Sequence, residues 1–188
     1  MLMMITGGSG SGKTAFALKL AEKFDHAGIW LVSRWPDKDA EQIAESVYPW
    51  KIIETHPILP EIIDTINVNS NPFVTNSRVL VVDNIAVWLY HEAKLIAQRE
   101  QDDDRMHRLM AERADTLIES ITAYQGTILV ITNEMNGYWD EVDIHKILFH
   151  HWLPIVNARL TAKCSQLFLL TSGVAVELTS RQVRLGGN

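Results

Sequence analysis

Residues 7–14 read Gly7-Gly8-Ser9-Gly10-Ser11-Gly12-Lys13-Thr14, which fits the pattern G-x-x-x-x-G-K-[ST] of a phosphate-binding loop, or P-loop. The run Leu2-Met3-Met4-Ile5 before it has the length and apolarity of a strand, and Ala17, Leu20, Ala21 and Phe24 after it recur at helical spacing. Strand, glycine loop and helix in that order are the context the motif requires. Glycines permit the close approach by which successive backbone N–H groups cradle phosphate oxygens, and a helix N-terminus adds favourable partial charge. Gly7, Gly8, Ser9, Gly10, Ser11 and Gly12 are therefore expected to wrap a nucleotide's phosphates. Lys13 is expected to reach the β- and γ-phosphates, and Thr14 to bind Mg²⁺. A glycine-rich turn without a ligand is the competing reading, and the complete motif at the first strand argues against it.

Working outward, the run 29–32 and a helix predicted over 37–46 make a second βα unit. A short strand at 51–53 and a helix at 60–66 follow in a segment punctuated by Pro49, Pro57, Pro60 and Pro72. The run 79–82 ends in Asp83 and reads as a strand buried on both faces, with a helix after it through Leu95. Asp102, Asp103 and Asp104 supply an N-cap and first-turn carboxylates for a helix bearing Met106, Leu109, Met110, Leu117, Ile118 and Ile121 at helical spacing. Beyond Gly126 come a strand at 128–131 and a helix over 141–164 interrupted by Pro154. A closing hairpin of 166–170 and 174–178 turns at Thr171-Ser172-Gly173, and residues 181–188 read as a frayed tail.

Alternating strands and helices imply an α/β fold with a mostly parallel, helix-covered sheet and a C-terminal β-hairpin. Ligands bind such sheets beyond the carboxyl ends of the strands. Thr6 to Thr14, Asp83-Asn84 and Thr132-Asn133-Glu134 should therefore meet on one side of the molecule. There Asp83 is the expected carboxylate on the metal side, and Glu134 is expected to orient an acceptor hydroxyl or take its proton, its plainer reading being a loop or capping carboxylate.

Composition sets the bounds. A chain of 188 residues is sized for one domain, read here as residues 1–188. With 47% hydrophobic residues it can bury a sizeable core. A net charge of −6 argues against a general nucleic-acid binder and for a small-molecule partner. The lone Cys164 cannot form an internal disulfide. No apolar run approaches the roughly 20 residues of a membrane span, and residues 1–4 are too few for a signal segment, so a cytoplasmic protein is expected. Most of the six tryptophans are expected in the core, and His150-His151, being adjacent, do not make an i, i+4 metal pair and are expected to pack or face solvent.

Four segments in order carry a resemblance. Thr6-Gly7-Gly8 and Ser11-Gly12-Lys13-Thr14 are similar to T-G-G-x-x-S-G-K-S, and Val82-Asp83-Asn84-Ile85-Ala86-Val87-Trp88-Leu89 is similar to V-D-C-L-T-L-W-L. Ile131-Thr132-Asn133-Glu134 is similar to V-T-N-E, and Val156-Asn157-Ala158-Arg159-Leu160 with Ser172-Gly173-Val174 is similar to V-N-Q-x-L and V-S-G. With these the chain resembles the adenosylcobinamide kinase/adenosylcobinamide-phosphate guanylyltransferases of cobalamin biosynthesis. The resemblance implies a RecA-like P-loop fold, a homo-oligomer that is often a trimer, and two activities. One phosphorylates the aminopropanol hydroxyl of adenosylcobinamide, a corrinoid, with ATP or GTP and Mg²⁺. The other transfers GMP from GTP to that phosphate through a guanylylated histidine.

The chain departs from the family's D-x-E-M-x-x-R-I-x-x-H helix. Asp39, Glu41 and Ile43 keep part of it, but the histidine position falls on Ser46, and a serine does not replace imidazole without another base. His56 is the candidate substitute, its plainer reading being a loop histidine before Pro57. Where the family carries R-D and G-R, this chain has His150-His151 and Pro154-Ile155. The kinase step is therefore the firmer expectation. A divergent P-loop kinase or NTPase with another acceptor, and a nucleotide-sensing binding protein, are the alternatives.

Overall fold

Seven strands form one sheet in the order β3-β2-β4-β5-β1-β6-β7. In chain order the elements are β1 (Leu2–Gly7), α1 (Lys13–Ala21), β2 (Ala27–Val32), β3 (Trp50–Glu54), α2 (Leu59–Val68), β4 (Arg78–Asp83), α3 (Ile85–Arg99), α4 (Asp103–Ala123), β5 (Thr127–Ile131), α5 (Ile144–Thr161), β6 (Gln166–Thr171) and β7 (Val174–Glu177), closed by a 3-10 turn at Thr179–Arg181. This computed structural model describes residues 1–24, 27–33, 48–69, 78–135 and 143–183. The helix expected over 37–46 with Ser46, the tryptophans Trp35 and Trp139, and residues 184–188 lie outside the described residues.

Among the described residues all strand pairs are parallel except β6–β7. Their apolar runs are continuous because both faces are covered. Leu2, Met4, Leu80, Val82, Ile128 and Val130 point into one core, built with α2, α3, α4 and α5. Met3, Ile5, Val79, Val81, Leu129 and Ile131 point into the other, against Ala17, Leu18 and Ala21 of α1. Of the described tryptophans, Trp30 and Trp88 are wholly buried, one in each core. Trp50 is half-buried and lies across Gly28, where a Cβ would come within 2.3 Å of its ring, so any side chain there would have to displace the indole. Half-buried Trp152 donates to His107 Nδ1 at 3.1 Å, and His151 meets the same ring edge-on, so that histidine packs from an exposed position.

Two polar devices tie the helices. Asp102 caps α4 by accepting from Arg105 N at 2.8 Å, with Asp103 and Asp104 in the first turn, so the acidic triplet is a helix start. Arg113 of α4 donates to the buried Glu92 of α3 at 2.7 Å, lies 3.7 Å from Glu61 of α2, and sits 5.5 Å above the Trp88 ring.

The hairpin turns on two residues, with Ser172 at φ 50 and Gly173 at φ 80. Positive φ at both central positions is what the twist of a two-residue β-hairpin demands. Past β7, Glu177 accepts from the Thr179 and Ser180 amides at 2.7 and 3.0 Å and from the Ser180 hydroxyl. The 3-10 turn Thr179–Arg181 ends at the residue where the sequence predicts the start of a frayed tail.

Candidate functional site

The parallel sheet sends the ends of β1, β4 and β5 to one edge. The loop after β1, Asp83 at the end of β4 and Asn133 after β5 line a cleft of about 500 Å³. Strands β1 and β4 are separated by β5 and so stand roughly 10 Å apart. Helix α1 bridges that distance by packing across β1, β5 and β4. It thereby carries Thr14 to Asp83, and Thr14 Oγ1 donates to Asp83 Oδ2 at 2.8 Å.

Lys13 is folded into the loop, its ammonium donating to Gly7 O at 3.0 Å and Gly8 O at 2.8 Å. Burial lowers its pKa below the usual lysine value, and the nearby Asp83 carboxylate opposes that shift. The loop turns where glycine is needed: Gly10 and Gly12 have φ of 69 and 90. At Gly7 a Cβ would come within 2.3 Å of Leu170 O on the neighbouring strand β6.

The segment after β5 is held from two sides. Thr6 Oγ1 donates to Glu134 Oε1 at 2.7 Å, and the Glu134 amide donates to Gly7 O at 3.4 Å. From α5, Asn157 Oδ1 accepts from Thr132 Oγ1 at 2.7 Å, and its Nδ2 donates to Asn133 O at 3.1 Å. Asn157 holds the site from outside the three polar segments that the sequence marks. Its signal was its place in a segment shared with a family, and nothing in the local pattern says that it holds a loop 24 residues away. On α3, Asn84 accepts from Val87 N at 2.8 Å and caps the helix that starts beside Asp83.

The P-loop and Asp83 are thus brought together, and Glu134 is tied to Thr6 and Gly7 where the loop begins. His56 is not among them: it is exposed beyond the end of β3, four strands from β1, roughly 19 Å by strand spacing. Its ring stacks on His91 of α3 with centroids 4.2 Å apart.

The donor set fits a Mg²⁺-bound nucleotide. Thr14 and Asp83 offer adjacent hard oxygen ligands. The buried Ser11 hydroxyl has no hydrogen-bond partner among the described residues and suits a phosphate oxygen. Sheet order, glycine loop and carboxylate define a RecA-like P-loop domain of the nucleotide-binding class. The family profile described as "Cobinamide kinase / cobinamide phosphate guanyltransferase" matches residues 3–178. The chain belongs to that family, which is one of transferases.

A search of curated proteins found no match. Among solved structures, an ATPase from the type III secretion system of pathogenic bacteria is similar, with a TM-score of 0.56 and 12% identity, covering 98% of this chain and 59% of that one. At that identity the likeness is one of fold. This chain therefore spans 59% of that ATPase's length.

Proposed function

We propose that the chain transfers the γ-phosphoryl group of ATP or GTP to the aminopropanol hydroxyl of adenosylcobinamide, as a kinase of cobalamin biosynthesis. The observation that carries this reading is the convergence of Lys13, Thr14 and Asp83 on one strand-end cleft, with Glu134 held by Thr6 at the start of the loop, in a chain of this family. Gly7 to Gly12 bind the phosphates through backbone amides, and Lys13 exchanges its loop carbonyls for the β- and γ-phosphates. Thr14 and Asp83 hold the Mg²⁺, which offsets charge on the phosphates when bound. Glu134, fixed through Oε1 by Thr6, takes the acceptor's proton.

A second step, transfer of GMP from GTP to the new phosphate, needs a nucleophile in place of Ser46. His56 is the candidate, favoured by its exposure at the carboxyl edge of the sheet. Its imidazole would attack the α-phosphorus of GTP with loss of pyrophosphate, and the corrinoid phosphate would then displace it. The test is mass spectrometry of the corrinoid after incubation with Mg²⁺, ATP and GTP, with Lys13→Ala as the blank. The expected product is the phosphate, and its GDP ester if the second step operates. His56→Ala should keep the phosphate and lose the ester. Phosphorylation of another hydroxyl compound but not the corrinoid would mean a divergent kinase, and nucleotide binding without turnover would mean a sensor.

A further inference from the structure

We infer that the β6–β7 turn is a working part of the nucleotide site: the Gly173 N–H sets the orientation of the P-loop amide at Gly12. This rests on the nucleotide-binding reading above. The two segments stand at opposite ends of the chain, yet they touch at several points. Gly173 N donates to Ser11 O at 3.0 Å, and the Cβ position of Gly12 lies 3.7 Å from Gly173 Cα. Gly7 packs against the Leu170 carbonyl of β6, with which it is paired in register. Phe16, in the first turn of α1, meets Phe168 of β6 with ring centroids 5.3 Å apart.

The consequence follows from peptide geometry. Ser11 C=O and Gly12 N–H belong to one planar trans peptide and point in opposite directions. Holding that carbonyl toward the hairpin turns the Gly12 N–H away from it, into the concavity where phosphate oxygens are bound. Gly12, at φ 90, has no side chain to restrain it, so the peptide would otherwise be free to flip. The turn has positive φ at both Ser172 and Gly173, which presents the Gly173 N–H at the tip of the hairpin. Gly173 is thus a positioning residue for phosphate binding, acting through Ser11 and touching no ligand itself.

The test deletes one hydrogen atom's worth of donor. Cys164, the single cysteine, allows residues 164–188 to be joined as a synthetic peptide to residues 1–163 without a scar. Glycolic acid in place of Gly173 makes an ester and removes the N–H alone. A second ester at Leu178 removes an equivalent bond, Leu178 N to Leu167 O at 2.8 Å, in the same hairpin but away from the loop. Kd for Mg-ATP and Mg-GTP is measured by calorimetry for both and for the all-amide chain, with the ligand-free melting temperature as the structural control.

The ester at residue 173 should weaken triphosphate binding about five- to tenfold, the loss of one hydrogen bond. The ester at 178 should lower the melting temperature and leave Kd unchanged. Equal affinity of the 173 ester and the all-amide chain, or equal weakening by the two esters, would overturn the inference while leaving nucleotide binding standing. An all-amide chain that binds neither nucleotide would overturn the nucleotide reading itself.

Discussion

The ammonium of Lys13 is buried against the Gly7 and Gly8 carbonyls, so its charge is already desolvated and aimed before any phosphate arrives. Replacing it removes a preorganised donor, an effect of about 10²–10³ in kcat. Lys13→Ala should show that loss in a nucleoside-diphosphate release assay. Lys13→Arg should not restore activity, because a planar fork does not fit a site shaped for a point charge. A second residue-scale expectation concerns Arg113. Its loss leaves the Glu92 carboxylate, 7% exposed, without a charge partner. Breaking a buried pair is costly, but Arg113 is 31% exposed and screened by solvent. Arg113→Ala should therefore cost roughly 2–3 kcal/mol in urea denaturation, and Arg113→Met with Glu92→Met should recover most of it. None of this pairing was readable from the chain. Glu92 follows the helical pattern of α3 like any polar residue, and its partner comes from another helix 21 residues on.

At the scale of elements, the strands were legible for a physical reason. Burial on both faces makes a run such as Val79-Leu80-Val81-Val82 uninterrupted, and glycine, Asp83 or Asn133 then mark its carboxyl end. The candidate site was legible to the same extent, since the parallel sheet alone brings the three polar segments to one edge. What holds those segments was not legible, because Asn157 and Gly173 act through contacts between distant elements. Asn157→Leu keeps the side-chain size but leaves Thr132 Oγ1 and Asn133 O without their partner. It should destabilise the fold by about 1–3 kcal/mol and lower kcat more than it alters KM for nucleotide, since the P-loop is untouched.

The end of the hairpin carries a pH dependence of defined sign. Hydrogen bonds from Ser180 and Thr179 hold the Glu177 carboxyl down from 4.5 to about 2. Its folded pKa lies below its unfolded one, so its contribution is complete above 4.5 and is lost as pH falls toward about 2. The protection of the Thr179 and Ser180 amides, taken relative to intrinsic exchange at each pH, should fall over that window, and Glu177→Ala should abolish the dependence.

At the scale of the whole molecule, a nucleotide that binds only the folded chain must stabilise it. At 100 times Kd the linkage amounts to about 2.7 kcal/mol, which for a chain of this length is a rise in Tm of roughly 5–10 °C. Differential scanning calorimetry with Mg-ATP should show that rise, and Lys13→Ala should show little of it. The rise should be a single shifted transition, because the cleft draws on β1, β4 and β5, which meet only in the assembled sheet.

The place of β1 in that sheet bears on how the chain is made. Its neighbours are β5 and β6, with Leu2 opposite Ile128 and Met3 opposite Gln166. The earliest made of the described strands is thus wholly buried in the finished protein and among the last to find both partners. At about 5–20 residues per second, the interval before β6 follows it is roughly 8–30 s. Through that interval Leu2-Met3-Met4-Ile5 keeps at least one unpaired apolar edge, a segment for a chaperone to cover and, in its absence, a point where nascent chains can stick to one another.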